Sequence, residues 1–198
     1  LCTHGPDIAP PAVDVQQRTE PLDVTASAAL EATALCDGDG VSGNRVQVMY
    51  VRTSATPDHF SQYATSIRQW ANQVDQLFYH SAIEVGSPRR IRFVHDANCV
   101  IDVLNIVLPT AKDFGISGTI NELSKLGYNQ RNRKYMIFVD DNQYCGIAQV
   151  FNDDAVGAGN RHNFGPSYAR IDNGCWNARV AAHELIHTLG GVQLSAPH

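Results

Sequence analysis

The stretch KYMIFVD, residues 134–140, constrains the fold of this chain more than any other segment. Its apolar side chains are nearly continuous, as expected for a central strand that is covered on both faces. YCGIAQVF, residues 144–151, follows within a few residues, so we expect it to be an antiparallel neighbour at the edge of the sheet. The two segments together predict a sheet that contains both strand directions.

Strand-like and helix-like patterns alternate through much of the remaining chain. Three more segments predict strands: RVQVMYVR (45–52), RRIRFVH (89–95) and CVIDVLNIVLP (99–109). Residues 57–80 carry apolar side chains at three- and four-residue steps, which predicts a long helix with one buried face. Thr119 and Glu122 form a T-x-x-E capping box, which predicts a short helix that starts there.

This alternation predicts an α/β fold. We expect a mixed, mostly parallel, twisted sheet with an antiparallel edge strand, a long backing helix and a final helix that carries the site residues. Residues 1–44 contain several prolines and lack a clear period, so an irregular segment packed on the rest of the protein is expected there. Residues 45–198 are then expected to form one domain.

Composition excludes several classes of function. The net charge of −5 and the absence of a basic cluster argue against a nucleic-acid partner, and no apolar run is long enough for a membrane span. The five cysteines form no C-x-x-C pair, which favours disulfides in a secreted, extracellular protein over a metal knuckle. Cys2 with Cys36 is the pairing that we expect first, and one thiol is left over because five is odd. A monomer is expected.

The segment AAHELIHTLGG, residues 181–191, contains the candidate metal ligands within a helix expected from about residue 177 to 189. His183 and His187 are four residues apart, so a helix places both imidazoles on one face, one turn apart. Zinc is the expected ion because it accepts neutral imidazole and keeps one position open in catalytic sites. Glu184 is next to the first histidine and can act as general base and then general acid in peptide hydrolysis.

The longer segment HELIHTLGGVQ resembles the metzincin motif H-E-x-x-H-x-x-G-x-x-H, with Gly190 in the register of the motif's glycine. The order of strands and helices is similar to the metzincin N-terminal subdomain. The chain looks most like small secreted actinobacterial metalloproteases of the snapalysin type, whose third ligand is also not histidine. The resemblance covers roughly residues 45–193. It implies a zinc metalloendopeptidase in which Glu184 assists the attack of a zinc-bound water on a protein or peptide substrate.

The segment CGIAQV, residues 145–150, is similar to the substrate-binding edge strand of the metzincins. The resemblance implies that a peptide substrate adds to this strand as an antiparallel partner. The residues that would bind it are Gly146, Ile147, Ala148 and Gln149. The alternative is an ordinary edge strand that has no contact with substrate.

Two departures from the metzincin pattern concern the third zinc ligand and the C-terminal subdomain. Gln193 occupies the position of the third histidine and offers only a weak amide oxygen. His198 offers an imidazole and is the preferred third ligand; Gln193, a ligand from outside the chain, or no third ligand are the alternatives. No methionine follows the motif, so we expect a chain that is truncated or processed after its zinc-binding segment, without most of the C-terminal subdomain. The rival function is a catalytically silent zinc-binding or protein-interaction module.

Weaker patterns concern calcium and a blocking cysteine. Two pairs of aspartates could contribute to a Ca²⁺ site, although turns in loops are the simpler explanation: Asp37 with Asp39, and Asp153 with Asp154. LCTHGPD, residues 1–7, loosely resembles the cysteine-switch segment of matrix metalloproteinases, in which a cysteine covers the zinc. Its spacing differs by one residue, so a disulfide is the expected role of Cys2.

Overall fold

Five strands form one mixed sheet in the computed structural model, which describes residues 5–11, 13–23, 35–109 and 114–191. The strands are β1 (Arg45–Thr53), β2 (Val103–Leu108), β3 (Arg133–Val139), β4 (Gly146–Ala148) and β5 (Ser167–Asp172). Their spatial order is β2-β1-β3-β5-β4. Neighbouring strands are parallel except for β4 and β5, which are antiparallel. The predicted mixed, mostly parallel α/β fold with an antiparallel edge strand is confirmed.

The central strand β3 is apolar on both faces because helices cover both sides of the sheet. Three α-helices lie within the described residues: α1 (Phe60–Glu84), α2 (Ile116–Lys125) and α3 (Ala178–Thr188). Met136 and Phe138 belong to the core cluster shared with α1 and α3. Ile137 and Val139 belong to the cluster on the other face, which is shared with α2. Alternate residues of one strand therefore support two separate cores.

The sequence pattern does not predict β5, and the expected neighbour of β4 is wrong. β5 contains Ser167, Arg170 and Asp172, which interrupt the apolar pattern although all three are fully buried. Nε of Arg170 donates to Oδ1 of Asp172 at 2.6 Å, so the two charges compensate each other inside the protein. β5 lies between β3 and β4 in the sheet, so β4 pairs with β5 and not with β3.

Two other predicted elements differ in the structure. Instead of a strand, residues 89–95 form only isolated bridges, which join Val46 with Phe93 and His95 with Ile101. Gly115, not Thr119, precedes α2. Thr119 lies inside the first turns of the helix, where its hydroxyl donates to the Gly115 carbonyl at 3.0 Å. The capping-box interpretation is therefore wrong.

The described residues contain two disulfides, and neither is the one expected. Cys36 pairs with Cys99, and Cys145 pairs with Cys175. The prediction that Cys36 pairs with Cys2 is wrong because the Cα atoms of Cys36 and Cys99 are only 5.2 Å apart. Two disulfides fit a protein that folds in an oxidising compartment. Within the described residues, no helix has the length and apolar character that crossing a membrane requires.

The Cys145–Cys175 disulfide is expected to contribute both to stability and to the geometry of the site. It joins residues 30 positions apart, just before β4 and just before α3. Replacing both cysteines with serine should lower the free energy of unfolding by about 3–4 kcal/mol, measured by urea denaturation. The zinc affinity that the sequence predicts for α3, measured by competition with a chelator, should also fall because β4 and α3 are no longer joined.

The matched control is the double serine variant at Cys36 and Cys99, which are 63 positions apart and lie in loops outside β4 and α3. This variant should lose stability but keep the zinc affinity of the parent. Equal zinc affinities in the two double variants would contradict the predicted role of the Cys145–Cys175 disulfide at the site.

Candidate metal centre

Helix α3 presents the two candidate histidine ligands in a fixed orientation. Its first turn is capped by Asn177, whose side chain accepts hydrogen bonds from the N–H groups of Arg179 and Val180, both at 2.9 Å. Leu185 is fully buried in the core, which fixes the rotation of the helix about its axis. Gly190 follows the helix with a φ of +88° and turns the chain out of it. Glycine adopts this conformation easily because it has no Cβ atom.

His183 and His187 lie as two ligands of one metal ion would. Their Nε2 atoms are 3.1 Å apart, and their ring planes are inclined by 80°. Two imidazoles on a tetrahedral zinc ion, with Zn–N bonds of about 2.0–2.1 Å, place their nitrogens roughly 3.3 Å apart. The side chain of His183 is 49% exposed whereas His187 is buried, so the two nitrogens meet where the helix reaches the surface. Donor type and spacing are compatible with zinc, and 3.1 Å is also the length of a hydrogen bond between the two rings.

Glu184 is fully buried between α3 and the edge strand. A Cβ atom at Gly146 would lie 2.1 Å from Oε1 of Glu184, so the glycine leaves the space that the carboxyl group occupies. Burial, followed by the hydrogen bond and the negative charge of Asp7, raises the pKa of Glu184 to about 11. The helix thus holds a carboxyl group with a high affinity for a proton next to the two candidate ligands.

Asp7 is a residue of the centre to which the sequence pattern does not point. Its Oδ2 atom lies 2.9 Å from Nε2 of His183, and it forms a hydrogen bond with Glu184. One possible ligand atom from each of these three residues lies within 4.8 Å of the other two. Asp7 belongs to the stretch LCTHGPD, whose resemblance to a cysteine switch concerns Cys2, a residue outside the described ones.

No family model matches this chain, and no curated protein matches it either. The metzincin resemblance therefore rests on the motif and on the order of strands and helices. The local geometry consists of the His183–His187 pair and of the group formed by Asp7, His183 and Glu184, both next to the edge strand β4.

The expected third ligands stay predictions. Gln193 and His198 both lie outside the described residues, which end at residue 191. The group that the structure brings to the first histidine is the carboxylate of Asp7, from the opposite end of the chain.

The expected substrate strand lies beside α3 at the end of the sheet. Gly146, Ile147 and Ala148 form β4 and pair with β5, and Gln149 extends this pairing with a 2.9 Å hydrogen bond from its N–H to the carbonyl of Tyr168. β4 is the last strand in the sheet order, so its second edge has no strand partner among the described residues. The carbonyl of Gly146 instead accepts a 3.0 Å hydrogen bond from the N–H of Asp7.

The aspartates considered for calcium have contacts typical of loop turns. Asp37 forms an ion pair with Arg92. Asp39 accepts hydrogen bonds from the side chain and backbone of Ser42, and these bonds hold the pKa of Asp39 well below its usual range. Asp153 accepts hydrogen bonds from two backbone N–H groups of its own loop. The calcium site stays a prediction; the carboxylates of Asp39 and Asp153 stabilise turns, and that of Asp37 pairs with Arg92.

Lys134 supports the C-terminal end of α3 from within the sheet. Its Nζ atom donates to the carbonyl of Thr188 at 2.6 Å and to the hydroxyl of Ser167 at 3.1 Å. Burial lowers the pKa of Lys134 to about 8. A cation at this position interacts favourably with the negative end of the helix dipole and stabilises the turn that contains His187.

Proposed function

We propose that this protein is a secreted zinc-dependent endopeptidase. The observation that carries the proposal is the 3.1 Å separation of the Nε2 atoms of His183 and His187, next to the buried carboxyl group of Glu184. A purely structural zinc site is closed by four protein ligands and does not need such a carboxyl group beside it. The two disulfides support export to an oxidising compartment.

Each residue of the centre has one role in this proposal. His183 and His187 bind the ion through their Nε2 atoms. Zinc, when bound, polarises a substrate carbonyl and lowers the pKa of a coordinated water to about 7. The raised pKa of Glu184 belongs to the protein without an ion; the positive charge of a bound cation would favour the ionised carboxylate. Glu184 would then accept the proton of the attacking water and donate it to the leaving amine. Contact with Gly146 fixes the carboxyl group, so the site needs little reorganisation between the two proton transfers.

The edge of β4 supports a protein or peptide substrate. An extended peptide can add to a free sheet edge through its backbone, whatever its side chains are. The carbonyl of Gly146 accepts a hydrogen bond from the backbone N–H of Asp7, and a substrate backbone would replace this bond. A peptide on β4 would bring its scissile bond next to Glu184, because Gly146 touches this carboxyl group.

Zinc titration of the metal-free protein tests the proposal. We expect one ion per chain, activity on an unfolded protein substrate that a chelator abolishes, and recovery when zinc is returned. Replacing either His183 or His187 with alanine should weaken zinc binding by more than the roughly 10- to 100-fold that loss of an outer-shell partner causes. His80→Ala, at an exposed position on α1, is the matched control and should bind zinc like the parent. Activity that survives complete metal removal would contradict the proposal.

A catalytically silent zinc-binding module is the second candidate. It is favoured by the contact of Asp7 with His183, since this carboxylate lies where a substrate would approach. Such a module binds zinc through the same histidines but hydrolyses no peptide, with or without Asp7. Activity measurements on variants of Asp7 and Glu184 separate the two candidates.

A further inference from the structure

A cleft of about 270 Å³ at the amino ends of β1 and β3 collects positive charge. Among the described residues, no aspartate or glutamate lines this basic cleft. The whole chain has a net charge of −5, so the cleft has the opposite sign to the rest of the protein. Its cations are spread along the sequence, and the fold brings them together. They are five of the chain's 15 lysines and arginines: Arg45, Arg90, Arg92, Arg133 and Lys134.

Two of these cations, Arg133 and Lys134, are buried without an anionic partner, each with only 9% of its surface exposed. Nη1 of Arg133 donates to the carbonyl of Gly43 at 2.8 Å. Nζ of Lys134 donates to the carbonyl of Thr188 and to the hydroxyl of Ser167. Within the described part of the chain, neither side chain forms an ion pair with a carboxylate. Neutral acceptors satisfy the N–H groups but leave two net charges uncompensated, which is costly inside a protein.

The ionisation of the two buried cations reflects this missing compensation. Burial lowers the pKa of Lys134 to about 8. Burial also lowers the pKa of Arg133, and the nearby charge of Arg45 contributes in the same direction. A negative charge in the cleft would favour the charged form of both residues. The fold is therefore stabilised by an anion at this position.

Arg90 and Arg92 provide N–H groups that can bind such an anion directly. Their side chains are 28% and 40% exposed. Arg90 pairs with Asp75 through Nε and Nη2, and Arg92 pairs with Asp37 through Nε. Within the described residues, Nη1 of Arg90 and both terminal nitrogens of Arg92 form no hydrogen bond. The two carboxylates hold the guanidinium groups in place and leave the outer donors for an oxyanion.

An apolar part of the lining adds a second requirement for the ligand. It consists mainly of Ile91, Phe164 and Leu189. The guanidinium of Arg131 lies 4.6 Å from the centroid of the Phe164 ring, which fixes this ring in the wall. The volume of the cleft is below the range of about 300–1,000 Å³ of drug-sized ligand sites, so the ligand is small. An oxyanion that carries a small organic group uses both parts of the lining.

We propose that the basic cleft binds a small phosphate monoester, with its phosphoryl group at Arg90 and Arg92 and its organic group against Phe164. A phosphate monoester carries about −1.5 to −2 charges at neutral pH, which matches the two uncompensated cations, Arg133 and Lys134. Its three acceptor oxygens can receive the outer N–H groups of both exposed arginines. This binding site is separate from the proposed peptidase activity, because no residue of the candidate metal centre lines the cleft.

Calorimetric titration of the parent with phenyl phosphate, at constant ionic strength in chloride, tests the proposal. We expect one saturable site per chain and weaker binding of inorganic phosphate. Arg92→Gln should weaken phenyl phosphate binding by roughly 10- to 100-fold, the effect of losing charge-assisted hydrogen bonds. Arg89→Gln is the matched control, because it removes the same charge from an exposed neighbour that does not line the cleft. It should bind phenyl phosphate like the parent.

A second variant, Phe164→Ala, tests the organic part of the ligand. It should weaken binding of phenyl phosphate but leave the affinity for inorganic phosphate unchanged. Circular dichroism verifies that each variant is folded. The absence of saturable binding by either probe at millimolar concentration would overturn the site. Equal losses in Arg89→Gln and Arg92→Gln would reduce the effect to net charge and overturn it too. Equal affinity of the parent for both probes would overturn the assignment to an ester. None of these results depends on whether the protein hydrolyses peptides.

Discussion

Replacing Glu184 with glutamine should lower kcat/KM for peptide hydrolysis by about 10²- to 10⁴-fold, the usual contribution of a general acid–base group. Glutamine has nearly the same shape, so it keeps the contact with Gly146 and the packing of α3. It cannot accept the proton of the attacking water. Zinc binding should persist, since His183 and His187 are unchanged.

Glu84→Gln is the matched control for this prediction. It makes the same chemical change at an exposed residue at the end of α1, and activity should stay at the level of the parent. A Glu184→Gln variant that binds zinc and hydrolyses peptides like the parent would exclude Glu184 as the base. An inactive parent with intact zinc binding, in both the native and the Asp7→Ala background, would favour the silent module.

Replacing Arg170 with methionine should lower the free energy of unfolding by about 3–5 kcal/mol, because it leaves the carboxylate of Asp172 buried without its cation. Arg170 and Asp172 are both fully buried. The guanidinium also donates to the hydroxyl of Thr119 at 3.0 Å and to the carbonyl of Phe114, which ties β5 to the start of α2. Urea denaturation of the metal-free protein measures the loss.

The effect of Arg170→Met should extend to the edge strand. Oδ2 of Asp172 accepts hydrogen bonds from the N–H groups of Gln143 and Tyr144, at 2.8 and 2.9 Å, and these residues lead directly into β4. Amide hydrogen exchange in β4 should therefore accelerate more than exchange in β2. Arg89→Met, at an exposed arginine, is the control and should change stability by less than about 0.5 kcal/mol. A loss below about 1 kcal/mol for Arg170→Met would show that the pair is not needed for stability.

The predictable part of the fold is the part whose apolar pattern matches its secondary structure. β1 and β3 are strands at nearly the expected positions because their nearly continuous buried runs match strands that are covered on both faces. α3 carries the two histidines on one side because they are four residues apart. The apolar pattern does not predict β5. Its interior contains an ion pair, and a local pattern cannot show that a charged residue meets its counter-charge two positions away on the same buried strand.

The centre itself was predictable only where its residues are adjacent in the chain. His183, Glu184 and His187 share one helix, so their spacing determines their geometry. Asp7 reaches them because the N-terminal segment crosses the folded protein, where contacts such as that of Arg18 with Asp140 hold it. No spacing rule relates residue 7 to residue 183. The same limit applies to the disulfides, since Cys36 meets Cys99 through tertiary packing.

The chain has two tryptophans, and both lie in the core beneath α3. The rings of Trp70 and Trp176 have centroids 6.4 Å apart, and Trp176 also contacts Tyr63 at 4.9 Å. Trp176 stands two residues before the first residue of α3, and its Nε1 donates to the carbonyl of Ile171 at 3.1 Å. Its fluorescence therefore reports whether the helix that carries the histidines is seated on the sheet. Tryptophan fluorescence can therefore follow the docking of α3 on the sheet without an added label.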